Sequence, residues 1–407
     1  MPNRPQTSES SVAGWGDFSR FHQLEITMAG GIDFSRLDQL EVGVTGRCNF
    51  TDFYDLHHFL LWPNEAEYKM QKSQQGTRFR TQNFCTATAS LLIFCPMGQA
   101  CGLAVEVLLR EDEIAAEFES AFSRRYLDEK FFYWLPSSVN AWVELTRSTE
   151  YRNSNRALQV LAGNAPALAK RWTEIDALCS LGCGEGSKDR ILLEAFKTTT
   201  KSLAYVAADF SQALLELALL GAEPVTRARR GVKFDVSRDD HLRGLRHNGV
   251  ACIYAVLGNT LGAFDPQHFP ARLREIMASG DRALFDGEIF DDETMRGYDN
   301  PTNRRFAFAP LAGLGLTEQD GELRFEARRG RAGIHEVAKY FVARRDLDIR
   351  LGSNTITLRA GEKLRMSSSI KYDEDTFYRL VEGAGFQLEL AAKSADGKFM
   401  LAAVRPR

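Results

Sequence analysis

The sequence predicts an α/β fold with a doubly wound, largely parallel sheet that helices cover on both faces. Strand and helix patterns alternate from about residue 171 to residue 291. The predicted strands begin near Asp176, Ser202, Gly231, Gly249 and Ala283. The fourth of them, residues 249–257, is almost continuously apolar, as expected for a strand buried on both faces. A last hairpin pattern, residues 386–404, predicts an antiparallel edge.

A glycine-rich turn joins the first predicted strand to a helix. Residues 181–188 read Leu-Gly-Cys-Gly-Glu-Gly-Ser-Lys. Glycines at alternate positions allow positive φ and let a ligand approach the main chain closely. The helix that follows offers unpaired N–H groups and a partial positive charge at its N-terminus. The turn therefore predicts a cofactor site.

Asp209 indicates the class of cofactor. It ends the second predicted strand, where a carboxylate can accept hydrogen bonds from both ribose hydroxyls of a nucleoside. A dinucleotide site would read G-x-G-x-x-G, and a P-loop would have Ser or Thr after its lysine, whereas Lys188 precedes Asp189. The spacing favours the nucleoside half of S-adenosylmethionine. A glycine turn that only permits tight packing is the alternative.

Composition excludes several classes of protein. The 407 residues carry a net charge of -3, which argues against phosphate recognition by clustered lysines and arginines. No segment reaches the roughly 18 apolar residues of a membrane span, and the first residues lack the apolar core of a signal peptide. The 7 cysteines include no CxxC pair and no histidine at ligand spacing, so no metal site is predicted. We expect a cytoplasmic protein with neither a nucleic-acid nor a membrane partner.

Changes of pattern divide the chain into five predicted parts. Residues 1–125 form a β-rich N-terminal region with a disordered start, strands at 78–94 and 102–109 and a helix at 111–125, and could be a lid or a dimer surface. Residues 126–170 are helical and rich in aromatics. Residues 171–291 form the cofactor-binding core, residues 292–365 an inserted α+β region, and residues 366–407 the end of the core.

Several segments resemble the histidine-specific, S-adenosylmethionine-dependent methyltransferases, which include the ergothioneine-pathway histidine Nα-methyltransferases. Residues 130–133, Lys-Phe-Phe-Tyr, resemble the family's Lys-Trp-Phe-Tyr, and residues 257–262, Leu-Gly-Asn-Thr-Leu-Gly, resemble its Leu-Gly-Ser-Thr-Ile-Gly. Residues 181–188 match its glycine turn loosely. Further matches are Ser138, Thr146, Glu150-Tyr151, Gly297-Tyr298-Asp299 and Ser369-Ile370-Lys371-Tyr372. The resemblance covers about residues 126–407.

The resemblance implies a fold and a set of site residues. The fold is a Rossmann-like sheet of the class I methyltransferase type with an inserted substrate domain. The residues expected to hold S-adenosylmethionine are Gly182, Gly184 and Lys188 at its methionine end, Asp209 at the ribose, and Asp235 and Val236 at the adenine. The residues expected to bind the substrate are Tyr133, Tyr151, Asn259, Tyr298, Ser367 and Ser369.

Three departures from the family pattern concern the substrate. Ala263 stands where the family has an asparagine that clamps the amino-acid head, and Ser367 stands where histidine-specific members hold the imidazole with a glutamate. Arg152-Asn153 replaces the flank of a tyrosine motif. A site stripped of such polar groups rejects its original ligand by orders of magnitude. The expected substrate is therefore an amino acid or amino-acid-derived amine other than free histidine.

Methyl transfer to nitrogen needs an unprotonated amine held in line with the methyl group. A tyrosine hydroxyl within hydrogen-bond reach can orient the amine and relay its proton. We expect Tyr133 to do this and Tyr298 to act as an orienting group, with His335-Glu336 as an alternative base. The other hypotheses are an O- or C-methyltransferase of a small metabolite, or a degenerate methyltransferase fold serving as a scaffold. A homodimer is compatible with each of these hypotheses.

Overall fold

The computed structural model describes residues 103–245 and 249–407. Its strands, in chain order, are β1 (Val105–Val107), β2 (Tyr126–Leu127), β3 (Ala177–Leu181), β4 (Ala204–Asp209), β5 (Arg229–Lys233), β6 (Cys252–Val256), β7 (Arg282–Glu288), β8 (Gly321–Arg328), β9 (Ile334–Ala343), β10 (Leu347–Leu351), β11 (Asn354–Leu358), β12 (Lys363–Tyr372), β13 (Phe386–Lys393) and β14 (Phe399–Pro406). The strands β3 to β7 begin within three residues of the predicted starts.

Helices connect most of these strands. They are α1 (Glu111–Ser123), α2 (Pro136–Arg147), α3 (Arg152–Arg171), α4 (Ser187–Thr199), α5 (Gln212–Ala222), α6 (Asp239–Gly244), α7 (Phe269–Ile276), α8 (Thr294–Tyr298), α9 (Pro301–Ala312) and α10 (Glu374–Gly383). Short 3-10 helices span Glu129–Tyr133, Thr260–Ala263 and Arg331–Gly333.

The main sheet confirms the predicted α/β class. Its order is β1-β5-β4-β3-β6-β7-β14-β13. Strands from β1 to β7 in this order run parallel, and β14 pairs antiparallel with β7 and with β13. The order reverses between β3 and β6, which creates a crevice at their carboxyl ends. The predicted final hairpin is the β13–β14 pair.

Two apolar clusters hold helices against opposite faces of this sheet, because successive strand residues point to alternate faces. Leu178 of β3 belongs to the cluster that includes α3, α4 and α5, whereas Cys179 belongs to the cluster that includes α7 and α10. Both side chains are fully buried. The sequence therefore reads as continuous apolar strands rather than alternating ones.

A second sheet, in the order β2-β12-β9-β8, draws on three of the predicted parts of the chain. β2 comes from the helical segment, β8 and β9 come from the inserted region, and β12 runs across the predicted boundary at residue 365. A boundary in the middle of a strand would break its ladder of hydrogen bonds. The inserted region thus extends to the end of β12.

The predicted N-terminal boundary also needs correction. β1 pairs in parallel with β5, with Val105 opposite Gly231, so the main sheet begins well before residue 126. The predicted strand at 102–109 contains β1, but its partner β5 begins only at Arg229, too far along the chain for the pairing to be predicted. The helix predicted at 111–125 is α1. The predicted strand at 78–94 and the disordered start lie outside the described residues.

Candidate active site

Residues at the carboxyl ends of β3, β4, β5 and β6 line one cavity of about 270 Å³. The cavity occupies the crevice where the order of the strands reverses. Its aromatic lining comprises Tyr133, Trp142, Tyr151, Phe210, Phe234, Phe264, Tyr298 and Phe306. Its charged lining comprises Asp128, Glu129, Lys130, Lys188, Asp209, Asp235 and Lys339. Of the predicted site residues, all but Ser367 line this cavity.

The glycine turn has the conformation that its sequence predicts. Gly182 and Gly184 have φ of 76° and 56° and face the cavity. A Cβ atom at Gly184 would meet nothing closer than the Trp142 Nε1 at 3.9 Å, so a side chain there would occupy ligand space. Gly186 differs, because a Cβ there would lie 2.9 Å from the Cα of Ala218. Two glycines therefore shape the site, and the third lets α4 pack on α5.

Asp209 lies beside this turn at the end of β4. Its Oδ2 accepts a hydrogen bond from the N–H of Gly184 at 2.9 Å, and its Oδ1 accepts one from the N–H of Ser211 at 2.9 Å. A carboxylate has about four acceptor sites, so capacity is left for hydroxyl donors. Burial raises the pKa of Asp209 to about 6, although these N–H donors oppose the shift.

Asp235 follows β5 and is fixed by an ion pair. Its Oδ2 lies 2.5 Å from the Nζ of Lys130, which also contacts Glu117 at 2.6 Å. Burial acts to raise the pKa of Asp235, but Lys130 and Ser237 outweigh it and the pKa is lowered. Asp235 is therefore an ionised acceptor at the wall of the cavity. Val236 lies next to it in the lining.

The second glycine turn, after β6, is held by Asp286 of β7. Asp286 accepts hydrogen bonds from the N–H groups of Gly258 and Asn259, each at 2.7 Å. Asn259 has φ of 61°, and its Nδ2 donates to the Oγ of Ser369 at 3.0 Å. Lys188 packs against Gly258, where a Cβ atom would lie 3.0 Å from its Cε. The turn thereby joins the cofactor side to the substrate side.

Three tyrosines expected to bind the substrate, Tyr133, Tyr151 and Tyr298, all line the cavity. The Tyr133 hydroxyl lies 3.4 Å from Oε1 of Glu129, and the Tyr298 hydroxyl lies 3.3 Å from Oε2 of Glu288. Burial raises the pKa of Tyr133, Tyr151 and Tyr298 well above the ordinary value, and the charge of Glu129 adds to each rise. These hydroxyls are therefore neutral donors at physiological pH.

A buried ion pair supports Tyr298 from behind. Lys371 of β12 lies 2.9 Å from Glu288 of β7, and their side chains are 0% and 5% exposed. The Nζ of Lys371 also donates to the Oγ of Ser369 at 3.0 Å and lies 5.0 Å from the centre of the Tyr298 ring. The pair connects the second sheet to the main sheet directly under the cavity.

Ser367 departs from its predicted role. The side chain is fully buried and does not line the cavity; its Oγ instead donates to Oε2 of Glu129. The reason is local, because β12 contains a register shift between Arg365 and Ser368 that turns Ser367 away from the regular alternation. Ser367 therefore contacts the cavity only through Glu129, whose carboxylate it binds and which lines the cavity.

The His335-Glu336 alternative lies away from the cavity. His335 stacks on Phe290 with ring centres 4.6 Å apart, and its Nε2 lies 2.9 Å from Oδ1 of Asp373. Glu336 pairs with Arg365. Neither residue lines the cavity, so the pair is not placed to act as a base.

Sequence reasoning missed several residues of the site: Glu129, Trp142, Asp286, Glu288, Phe306 and Lys339. A signal existed for Glu129, which immediately precedes the segment 130–133 and lies one helical turn before Tyr133. The others come from α2, α9, β7 and β9, and nothing in their local sequence distinguishes them from core residues. No cluster of three or more His, Cys, Asp or Glu residues that could hold a metal occurs in the described part of the chain.

The sequence profile of the histidine-specific, S-adenosylmethionine-dependent methyltransferases matches residues 111–406. The chain belongs to this family, and it is a methyltransferase whose cofactor is S-adenosylmethionine. The match begins at residue 111, so it includes α1, which the sequence analysis had left outside the family resemblance.

Curated relatives are distant in sequence. The chain is 23% identical to the N-methyltransferase fsqC of Aspergillus fumigatus over 266 residues, which cover 62% of this chain and 72% of that protein. It is 26% identical to the N-methyltransferase dtpB of Aspergillus flavus over 270 residues, covering 60% and 75%. It is 26% identical to the histidine N-alpha-methyltransferase of Mycobacterium tuberculosis over 183 residues, covering 43% and 55%.

The cavity fits the family's cofactor. The open space at Gly184 would be filled by a Cβ atom, and the carboxylate of Asp209 keeps acceptor capacity for a diol. The buried Nε1 of Trp142 has no hydrogen-bond partner among the described residues, and a buried donor of this kind calls for an acceptor. When bound, S-adenosylmethionine supplies a methyl group on a sulfonium.

The helices in residues 103–245 and 249–407 include none with the length and apolar composition of a membrane span. The cytoplasmic location stays a prediction.

Proposed function

We propose that this protein methylates the nitrogen of a small-molecule amine, namely an amino acid or an amine derived from one, and that free histidine is not its substrate. Gly182, Gly184 and Lys188 would hold the methionine end of the cofactor, Asp209 the ribose, and Asp235 with Val236 the adenine. Tyr133, Tyr151 and Tyr298 would enclose the acceptor.

The observation that carries this proposal is the arrangement of carboxylates around the tyrosines. The hydroxyls of Tyr133 and Tyr298 each lie within 3.4 Å of a carboxylate, Glu129 and Glu288 respectively. A tyrosine hydroxyl that donates to a carboxylate can also accept a hydrogen bond from an ammonium group. The tyrosine oxygen can then take the ammonium proton as its own proton passes to the carboxylate. An ammonium must lose a proton before it can accept a methyl group, so this arrangement suits nitrogen as the acceptor.

Two residues argue against free histidine. Ala263 lines the cavity where the resemblance expects an asparagine clamp, and an alanine side chain offers no hydrogen bond. Ser367 lies behind the cavity wall and cannot reach an imidazole. Binding the polar ends of histidine without these partners would leave groups unsatisfied, which costs orders of magnitude in affinity.

Transfer of an isotope-labelled methyl group tests the proposal. Purified protein is incubated with methyl-labelled S-adenosylmethionine and a panel of aromatic and aliphatic amines and amino acids, histidine included, and products are analysed by fragmentation mass spectrometry. We expect label on nitrogen of at least one amine and none on histidine. Label on oxygen or carbon would favour the alternative acceptors, and binding of the cofactor without any transfer would favour a scaffold.

A further inference from the structure

Glu129 is a carboxylate that lines the cavity together with the three tyrosines and that the family resemblance does not account for. It begins the 3-10 helix Glu129–Tyr133, lines the cavity, and its side chain is 15% exposed. Burial is the largest cause of the raised pKa values of Tyr133, Tyr151 and Tyr298, and the negative charge of Glu129 contributes to each of them. Of the three hydroxyls, that of Tyr133 lies 3.4 Å from Oε1 of Glu129.

The partners of Glu129 leave much of its acceptor capacity open. Lys339 Nζ lies 3.4 Å from both carboxylate oxygens, and the Tyr133 hydroxyl lies 3.4 Å from Oε1. Charge-assisted hydrogen bonds are typically about 2.7–2.9 Å long, so these three contacts are loose. Among residues 103–245 and 249–407, the hydroxyl of Ser367 makes the close contact, with Oε2. A carboxylate with about four acceptor sites can therefore take further donors from the cavity.

The backbone is distorted at the residue that orients this carboxylate. Ser367 has φ of 70°, a conformation that non-glycine residues rarely adopt, and it lies in the register shift of β12. Such strain persists where the surrounding structure enforces it, commonly at functional sites. Here the distortion aims the Ser367 hydroxyl at Oε2 of Glu129.

The walls around Glu129 suit a cation attached to a flat apolar body. The ring of Tyr133 lies 5.2 Å from that of Trp142 and 5.6 Å from that of Phe306. The Nζ of Lys339 lies 4.9 Å and 5.5 Å from the ring centres of Phe132 and Phe306. Lys339 therefore makes cation–π contacts with these rings in addition to its contact with Glu129. Aromatic faces and a carboxylate together bind an ammonium group better than either does alone.

The geometry points to Glu129 as the group that binds the amino group of the substrate, in its protonated form, and so selects amines over their neutral analogues. This inference rests on the proposed function, since it names the recognition element of the same cavity. Ser367 is a positioning residue for Glu129. Lys339 limits the cost of burying the carboxylate before the substrate arrives.

Calorimetry on protein saturated with S-adenosylhomocysteine tests this without turnover. The probes are phenethylamine and its neutral analogue 2-phenylethanol. We expect the wild type to bind the amine more tightly than the alcohol, and Glu129→Gln to weaken amine binding at least tenfold while the affinity for the alcohol and for S-adenosylhomocysteine stays within twofold. Glu322→Gln, an exposed member of a surface pair with Arg324, is the matched control and should change none of these affinities.

A charge-balanced variant deals with loss of folding. Glu129→Gln leaves Lys339 buried without its partner, which is destabilising, so Glu129→Gln with Lys339→Met is measured as well. We expect the double variant to fold and to lack the preference for amine over alcohol. Ser367→Ala should weaken amine binding by a smaller factor and leave alcohol binding unchanged.

The inference is overturned if the wild type shows no preference for the amine, or if a folded Glu129 variant keeps that preference. Equal losses of amine, alcohol and S-adenosylhomocysteine binding would also overturn it, because Glu129 would then be structural only. Failure of the proposed function gives a different result, in which amine binding depends on Glu129 but no methyl group is transferred to nitrogen.

Discussion

At the scale of single residues, Asp209 combines burial with the proposed task of binding the ribose of the cofactor. Burial raises its pKa to about 6 from an ordinary value of 3.8. The folded chain therefore takes up this proton more readily than the unfolded chain does, and the contribution of Asp209 to stability is largest below pH 3.8 and is lost as the pH rises through about 6. Cofactor binding is expected to depend on pH with the opposite sign, since the ribose hydroxyls would donate to the ionised form of Asp209.

Affinity for S-adenosylhomocysteine should therefore fall as the pH is lowered from 8 to 5, with the steepest change near pH 6. Asp209→Asn should weaken binding about tenfold to a hundredfold, since a hydrogen bond to a charged group contributes about 1.5–3 kcal/mol. Calorimetry across this pH range measures both effects. Burial also raises the pKa of Asp286 to about 6. Titration of Asp286 would explain a pH dependence that the Asp209→Asn variant retains. An affinity that is constant from pH 8 to pH 5 would contradict this role for Asp209.

Substitutions of Tyr133 and Tyr298 are expected to change the rate of methyl transfer, whereas substitution of Asp209 is expected to change cofactor binding. Tyr133→Phe removes the hydroxyl that faces Glu129 and should lower kcat about a hundredfold, within the range of general acid–base catalysis. The affinity for S-adenosylhomocysteine should be unchanged, because the hydroxyl lies on the substrate side. Steady-state methylation of the amine identified by the label experiment measures kcat, and single-turnover methylation separates the chemical step from product release. Tyr298→Phe should have a smaller effect, as an orienting group; equal and small effects for both would exclude Tyr133 as the proton relay.

At the scale of elements, the packing of α4 against α5 depends on Gly186. It has φ of 80°, and a Cβ atom would lie 2.9 Å from both the Cα and the Cβ of Ala218. Gly186→Ala should lower the free energy of unfolding by about 1–3 kcal/mol, as overpacking does. Gly163→Ala, in the interior of α3 with nothing within 4 Å, should raise it by about 0.5–1 kcal/mol. Urea denaturation compares them, and equal signs would contradict this assignment.

The elements also show what the sequence could predict. β3 and β6 were predicted because strands buried on both faces are continuously apolar, and the glycine turn was predicted because positive φ requires glycine. β1 was predicted as a strand within 102–109 but not as part of the main sheet, because its partner β5 lies more than a hundred residues later in the chain. Glu129 was missed although it adjoins the matched segment 130–133, because its contact with Ser367 joins residues more than two hundred positions apart and depends on a bulge in β12 that has no sequence signature.

At the scale of the whole molecule, the buried pair Lys371–Glu288 joins the second sheet to the main sheet. Lys371→Met should lower the free energy of unfolding by about 3–5 kcal/mol, because it leaves a buried carboxylate without its partner. Lys371→Met combined with Glu288→Leu should recover much of the loss. Thermal or urea denaturation of both variants measures the difference, and a single variant as stable as the wild type would mean that the pair is not buried in solution.

The division of labour between the sheets explains why the cofactor could be predicted more fully than the substrate. The main sheet supplies the glycine turn, Asp209 and Asp235 in one local order, which is readable along the chain. The substrate side assembles the 3-10 helix Glu129–Tyr133 with β9 and β12 of the second sheet. Residues so distant in sequence come together only through the fold. The N-terminal region and the possible homodimer stay predictions, since residues 1–102 lie outside the description.

The roles of Asp209 and Glu129 can be tested together by a crystal structure of the protein with S-adenosylhomocysteine and a methylated amine product of the label experiment. We expect the ribose hydroxyls to contact Asp209, and the nitrogen of the amine to lie within hydrogen-bond distance of Glu129 and to face the sulfur. A nucleoside bound outside this cavity, or an amine held on the far side of Tyr133 from Glu129, would contradict it.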